Sequence, residues 1–332
     1  MDQVALIGPN DGDSLKWHIK FNEKNNALVE RTFYVHCETE KVLELTAQFK
    51  DKENLIFIPE SEIVNPSICQ NKWIYQQLIK LSTDKLRDSH NLSEIFLFTD
   101  VDTIPFRKIE EKDFFHEGEP IFYISSEHEA PVLSRKFQVP EKKITQNQSF
   151  LNWHYGMSWT SWDLLGIKPE CRVSAIDACV LWSQRTLRKL KRHIENRFDL
   201  PWEEAILNSL LKFFCAHRKH FVMKEGFREV SFSAQTVVSK EQTVPLEQLI
   251  QNGRLGFSEW QLYAHFVAFV NKNKNLWIGQ MGNHPKPHIG EFNTAVSKEN
   301  ELRTLLQKGY HPAFIYFYPG LTGMDSVLQD YY

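Results

Sequence analysis

Four apolar runs in the first hundred residues set the terms for the whole chain. They are VALIGPNDGD (Val4 to Asp13), RTFYVHC (Arg31 to Cys37), NLIFIPE (Asn54 to Glu60) and EIFLFTD (Glu94 to Asp100). Each is a short stretch of β-branched, aromatic or leucine residues, and all but the second are closed by a turn former or an acid, the pattern of a buried strand. Between them lie stretches that read as helices: one starting within Leu15 to Lys20, one over Glu38 to Phe49 and one over Trp73 to Leu86. Strands alternating with helices at this spacing predict an α/β chain whose mainly parallel, Rossmann-like sheet is covered on both faces. In such sheets ligands bind outside the carboxyl ends of the strands. Asp11, Asp13, Glu60, Asp100 and Asp102 all fall at or just beyond strand ends, so one rim of the sheet is expected to gather acids.

The rest of the chain is more mixed. Pro120 to Ser126 and Ala313 to Tyr318 read as strands. Val180 to Phe198, Trp202 to Phe214 (opened by Pro201) and Phe257 to Val270 (with Ser258 as N-cap) read as helices. No repeat, low-complexity tract or linker interrupts it, so one catalytic unit is expected. Its nucleotide-binding half would be residues 1–110 and its mixed α+β, acceptor-side half residues 111–332. A content of 42% hydrophobic and 24% charged residues fits a soluble globular protein with a sizeable core. The net charge of -3 argues against non-specific nucleic-acid binding, which needs a strongly basic face. The five cysteines (Cys37, Cys69, Cys171, Cys179 and Cys215) are odd in number and lack CxxC spacing, as for reduced thiols in a cytoplasmic protein. The N-terminus is acidic where a signal peptide would be basic. Nothing approaches the ~18 apolar residues of a membrane span, so the expectation is at most peripheral contact, at the inner membrane.

The fourth run ends in TDVD. Residues i and i+2 of a strand share a face, so an extended TDVD would point Asp100 and Asp102 the same way and turn Val101 inward. Two like charges at one rim need something positive between them. Mg²⁺ or Mn²⁺, held by a few carboxylates and substrate phosphates, answers that need. Two chemistries use this local pattern. In a nucleotide-sugar glycosyltransferase the acids hold the metal that bridges the donor diphosphate. In a haloacid-dehalogenase-type phosphatase, DVDT would make Asp100 the nucleophile and Asp102 the general acid. The phosphatase motif usually opens its domain, whereas here about 95 residues of α/β sequence precede it, and its second acidic pair could only be Asp325 and Asp330 near the C-terminus.

NKWIYQQLIKL, FLFTDVDTIPFR, IENRFDLPWEEAIL and FSEWQLYAHFV, spread over roughly residues 70 to 270, resemble a bacterial family of GT-A-fold glycosyltransferases. Its recurrent pattern is a W-x-x-Q-Q-x-x-K-L helix, a D-x-D-T strand end and an F-S-E-x-x-x-Y helix start. Its members are largely uncharacterised and associated with surface-polysaccharide genes. The resemblance implies a GT-A-like fold, a nucleotide-sugar donor (a UDP-sugar by default), a glycan or lipid-linked acceptor and a divalent cation. Where the family often has Gly-Asn after the tyrosine, this chain has Ala264 and His265 after Tyr263.

That likeness suggests the parts. Pro9, Asn10, Asp11 and Asp13 would surround base and ribose, or form an acidic surface turn. Gln77 and Lys80 share a helix face beside Gln76, and Lys80 would pair with donor phosphate or steady Asp100. Arg107 would contact phosphate or cap the strand. Glu259, in the first turn of a helix, is the expected base if the anomeric centre is inverted, with Glu203 or Glu204 behind it. In GQMGNHPKPHIGEF (Gly279 to Phe292), His284 or His288 would be a third metal ligand, Lys286 would hold the diphosphate, and the loop would close over the donor. Aromatics crowd Ser149 to Gly166 and either fill core or, at Trp153 and His154 beside Asn152, face an acceptor sugar. A fold-keeping glycan-binding protein without catalysis is the remaining alternative.

Overall fold

The computed structural model describes residues 1–116, 118–124, 148–168, 179–224, 229–232, 244–253, 256–271, 277–280, 293–296, 299–308, 313–317 and 324–331. The apolar runs become β1 (Asp2–Ile7), β2 (Arg31–His36), β3 (Leu55–Pro59) and β4 (Ile95–Asp100). They are connected by α1 (Gly12–Asn25), α2 (Thr39–Gln48), and a third connection of α3 (Glu60–Ile63), α4 (Lys72–Leu81) and α5 (Leu86–His90). Chain order in the sheet is β3-β2-β1-β4, all parallel, with Val4 opposite both Phe33 and Phe98. All four carboxyl ends therefore lie on one rim, as the alternation predicts.

Side chains alternate between the two faces. Ala5, Ile7, Tyr34 and Phe57 pack with Leu15, Ile19, Val42 and Leu45 under α1 and α2. Val4, Leu6, Phe33, Val35, Phe96 and Phe98 pack with Ile74 and Leu78 of α4 and with later helices. The helix expected over Trp73 to Leu86 stops at Leu81: a tight turn at Thr83–Lys85 breaks it before α5.

After β4 come β5 (Thr103–Pro105), α6 (Glu111–Phe114), β6 (Phe115–His116), β7 (Glu119–Ile124) and α7 (Gln148–Leu165). The stretch Val180 to Phe198 departs from expectation. Its start is a strand, β8 (Cys179–Ser183), which pairs antiparallel to β4 and closes the main sheet. Only then does α8 (Gln184–Phe198) begin, capped by the Ser183 hydroxyl, which accepts from the Thr186 N–H at 3.2 Å. A five-residue apolar run joined directly to a helix has no period of its own to betray it.

The chain continues through α9 (Trp202–Ala216), β9 (Phe221–Lys224), β10 (Glu229–Phe232), α10 (Leu246–Asn252), α11 (Glu259–His265), β11 (Trp277–Gln280), β12 (Asn293–Val296), α12 (Glu299–Gln307), β13 (Phe314–Phe317) and α13 (Asp325–Tyr331). The helix expected over Phe257 to Val270 is α11 followed by a wider π turn, Phe266–Asn271. β13 pairs antiparallel with β5, and Trp17 of α1 donates to Asp325 of α13 at 2.6 Å, so the C-terminal segment folds back on the start of the chain. Among the described residues no helix is long and apolar enough to cross a membrane.

α1 is fixed to the sheet by a buried polar network. His18 shares hydrogen bonds with Tyr34 Oη (2.9 Å), Asn22 (3.0 Å), Gln3 and Thr99 (3.4 Å each). Burial drives the imidazole down to about 3, from an ordinary value of 6.5. The unfolded chain takes up this proton below pH 6.5 and the folded chain does not, so stability present above pH 6.5 is lost as pH falls towards 3. Between pH 7 and 4.5 the loss from this group should be on the order of 2–3 kcal/mol. Thermal melts of wild type and His18→Gln at both pH values test this. The wild type should lose more on acidification, and equal losses would contradict it.

Candidate active site

The two aspartates are placed by how β4 ends. Asp100 is its last residue, opposite Leu6 of β1, and the Val101 N–H still reaches the Leu6 carbonyl at 3.3 Å. Val101 turns into the core under α1 and α2. The Asp102 carbonyl then accepts from the Phe317 N–H of β13 at 3.0 Å, which pins the turn from the other side. Asp100 remains partly open, with 28% of its side chain exposed. Asp102 is drawn further in, and its Oδ1 is buried without a hydrogen-bond partner. Burial, followed by the charges of Asp100 and then Asp11, pushes the Asp102 carboxyl well above the usual carboxylate range, with Lys80 acting against them.

Asp11 comes from the loop after β1. Its Oδ2 accepts from the Gly8 N–H at 2.7 Å, closing a turn that points it at the aspartate pair. A Cβ at position 8 would lie 2.7 Å from Asp11 Oδ2, so any larger residue there would displace the Asp11 side chain. Pro9, Asn10 and Asp13, from the same loop and the first turn of α1, are exposed.

Behind the acids is a buried lysine. Lys80 Nζ lies 3.2 Å from Asp100 Oδ1 and 3.0 Å from Glu259 Oε1. It also sits over the Trp260 ring, 4.6 Å from its centroid. Burial opposes its charge, but the Asp100 and Glu259 carboxylates outweigh that and hold the ammonium above its ordinary value, so it stays charged. Gln77, one turn earlier on α4, points its amide at the Glu259 carboxylate and donates to it, at 3.2 Å to Oε1. Burial pushes the Glu259 carboxyl up, and Lys80 draws it back.

Three segments far apart in sequence thus meet in one chain of contacts, Gln77–Glu259–Lys80–Asp100. The F-S-E-x-x-x-Y segment supplies its own scaffold. Ser258 caps α11 by accepting from the Gln261 N–H at 3.3 Å. Tyr263 stacks on Trp182 of β8 and accepts from the Ser183 N–H at 3.0 Å. Trp260 and Tyr263 went unassigned in the sequence; their fixed spacing from Glu259 was the available signal.

Other expectations fare differently. Glu259, the expected base, is 2% exposed, with its oxygens engaged by Lys80 and Gln77. Arg107 directs its guanidinium into two bonds with Asp113, at 2.9 and 2.8 Å, as a local clamp. Glu203 and Glu204 begin α9, where Glu203 acts on the buried Lys191–Asp84 pair. Asp325 and Asp330, the acids a phosphatase would need, bond to Trp17 and Arg303 on the C-terminal segment. His284, Lys286 and His288 lie outside the described residues, as do the side chains of Asn152, Trp153 and His154. Trp162 is core, as expected for most of that aromatic cluster. Among the described residues no three His, Cys, Asp or Glu groups form a complete metal cage. The partnerless Asp102 oxygen beside Asp100 nonetheless suits a hard cation completed by substrate oxygens.

A model described as a family of unknown function (DUF6492) matches residues 17–286. No curated protein matches the sequence. Among solved structures, the galactosyltransferase LgtC in complex with donor and acceptor sugar analogs is 13% identical, with 63% of this chain and 70% of that one covered and a TM-score of 0.35. Mouse xyloside xylosyltransferase 1 in its apo form is 9% identical over 95% of this chain and 97% of its own, with a TM-score of 0.39. Glucosyl-3-phosphoglycerate synthase from Mycobacterium tuberculosis, in complex with Mn²⁺, UDP and glucosyl-3-phosphoglycerate, is 11% identical over 65% of this chain and 66% of its own, with a TM-score of 0.30. Scores this low carry no argument, so the chemistry rests on the residues themselves.

Proposed function

We propose that this chain, which belongs to the family of unknown function DUF6492, is a metal-dependent glycosyltransferase. It would move a sugar from a nucleotide-sugar donor, by default a UDP-sugar, to a glycan or lipid-linked acceptor in surface-polysaccharide synthesis. It would act in the cytoplasm with at most peripheral contact at the inner membrane. The observation that carries this is the convergence of Gln77, Lys80, Asp100 and Glu259, from three separate segments, on the turn that presents Asp102 at the carboxyl rim of a parallel sheet.

Asp100 and Asp102 would hold Mn²⁺ or Mg²⁺, with His284 as a third ligand. When bound, the cation supplies positive charge to the oxygens of the departing nucleoside diphosphate. Lys80 keeps a fixed positive charge against Asp100, which holds this carboxylate in place at the rim. Glu259 and Gln77 keep Lys80 from swinging into the donor site. The Pro9–Asp13 loop would flank the nucleoside, and Lys286 would approach the diphosphate.

A thermal-shift panel of UDP-, GDP-, CMP- and dTDP-sugars, each with and without Mn²⁺, tests the proposal. A donor at about 100 times its dissociation constant should stabilise the fold by about 2.7 kcal/mol, and only when the cation is present. Stabilisation by BeF₃⁻ with no response to any nucleotide would instead favour the phosphatase, with Asp100 as nucleophile and Asp102 as acid.

A further inference from the structure

Glu60 is the first residue past β3, on the rim that carries Asp100, and its side chain is 6% exposed. Burial pushes its carboxyl up to about 7, with no hydrogen bond or neighbouring charge among the described residues set against it. Its neighbours look elsewhere. Tyr75 of α4 feels its charge but donates its hydroxyl to the Val64 carbonyl at 2.9 Å. Cys37, just past β2, also feels it and has its Sγ 3.9 Å from His36 Nδ1. A buried carboxyl without a partner is costly, and such groups are kept where a ligand satisfies them.

The sheet order β3-β2-β1-β4 sets Glu60 three strands from the aspartate pair, about 14 Å along the rim. That matches the reach of an extended nucleoside diphosphate from its phosphates to the outer edge of its base. We propose that Glu60 is the group that reads the donor's nucleobase, and that it takes a base edge presenting a hydrogen-bond donor beside an acceptor, such as the N3–H and O4 of uracil. This rests on the glycosyltransferase reading above. A carboxylic acid that keeps its proton offers one O–H donor and one acceptor oxygen, which complete a two-bond ring with such an edge. An ionised carboxylate offers acceptors only and would suit the two adjacent N–H groups of guanine instead.

The test is calorimetric titration of wild type, Glu60→Gln and Glu60→Ala with UDP, CDP, GDP and inorganic pyrophosphate, all with Mn²⁺. The glutamine amide keeps one donor beside one acceptor. Glu60→Gln should therefore bind the preferred pyrimidine nucleotide within about three-fold of wild type, and Glu60→Ala at least ten-fold more weakly. Pyrophosphate, which reaches only the aspartates, should bind all three proteins alike. Wild-type affinity should also fall relative to Glu60→Gln as pH rises from 6 to 8. Around Glu60 are Cys37 and Tyr75, which respond to its charge, with His36 beside Cys37, Lys72 acting on Cys37 and Lys85 bonded to the Ile63 carbonyl of α3; none of these is substituted in that comparison. Unchanged nucleotide binding in Glu60→Ala overturns the inference. Binding of pyrophosphate but of no nucleotide overturns it while sparing the cation site. Binding of neither overturns it together with the reading on which it rests.

Discussion

Lys80→Met should cost the fold roughly 3–5 kcal/mol, the range for removing one partner of a buried ion pair. The loss would show as a lower urea midpoint with an unchanged slope. The cause is what remains. Glu259 would be left with Gln77 and its own backbone N–H as donors in a site 2% exposed, and Asp100 would face Asp102 without a counter-charge. A methionine fills much of the lysine's volume and can lie on Trp260, so lost packing contributes little. The double variant Lys80→Met/Glu259→Gln removes both charges and should recover most of the stability. If the double variant is as unstable as the single one, the pair is not coupled in this way.

Asp100→Asn and Asp102→Asn should each lower sugar transfer by a thousand-fold or more, yet act on stability in opposite directions. Asp100→Asn weakens an ion pair with Lys80 and should destabilise slightly. Asp102→Asn removes a buried carboxyl whose Oδ1 has no partner and whose charge is opposed by Asp100 and Asp11, so the fold should gain roughly 1–3 kcal/mol. A substitution that stabilises while abolishing activity marks strain kept for function. Asp102→Asn that destabilises the fold would mean the carboxyl is satisfied where it lies.

The parallel half of the sheet was legible because each βα unit carries its own signal. Runs such as EIFLFTD are too apolar for a surface, and a turn former or acid ends β1, β3 and β4. β8 was hidden because CVLWS abuts an amphipathic helix, and its pairing with β4 joins residues 80 or more apart. The site divides in the same way. Asp100, Asp102 and Lys80 could be picked out from local pattern, since a strand end and one turn of helix position them. The place of Glu259 at the start of α11 was also local, but its burial depends on Gln77 and Lys80, some 180 residues earlier in the chain, and no local pattern contains that. Arg107 meets Asp113, only six residues on, and that spacing across a turn carries no periodic pattern that would announce the pair.

Mn²⁺ binding followed by electron paramagnetic resonance, with UDP present, is the most direct test of the aspartate pair. Wild type should take up one manganese per chain, with the free signal lost only when UDP is added, and Asp100→Asn/Asp102→Asn should leave the free signal unchanged. Uptake by the double variant equal to that of wild type would show that the cation sits elsewhere.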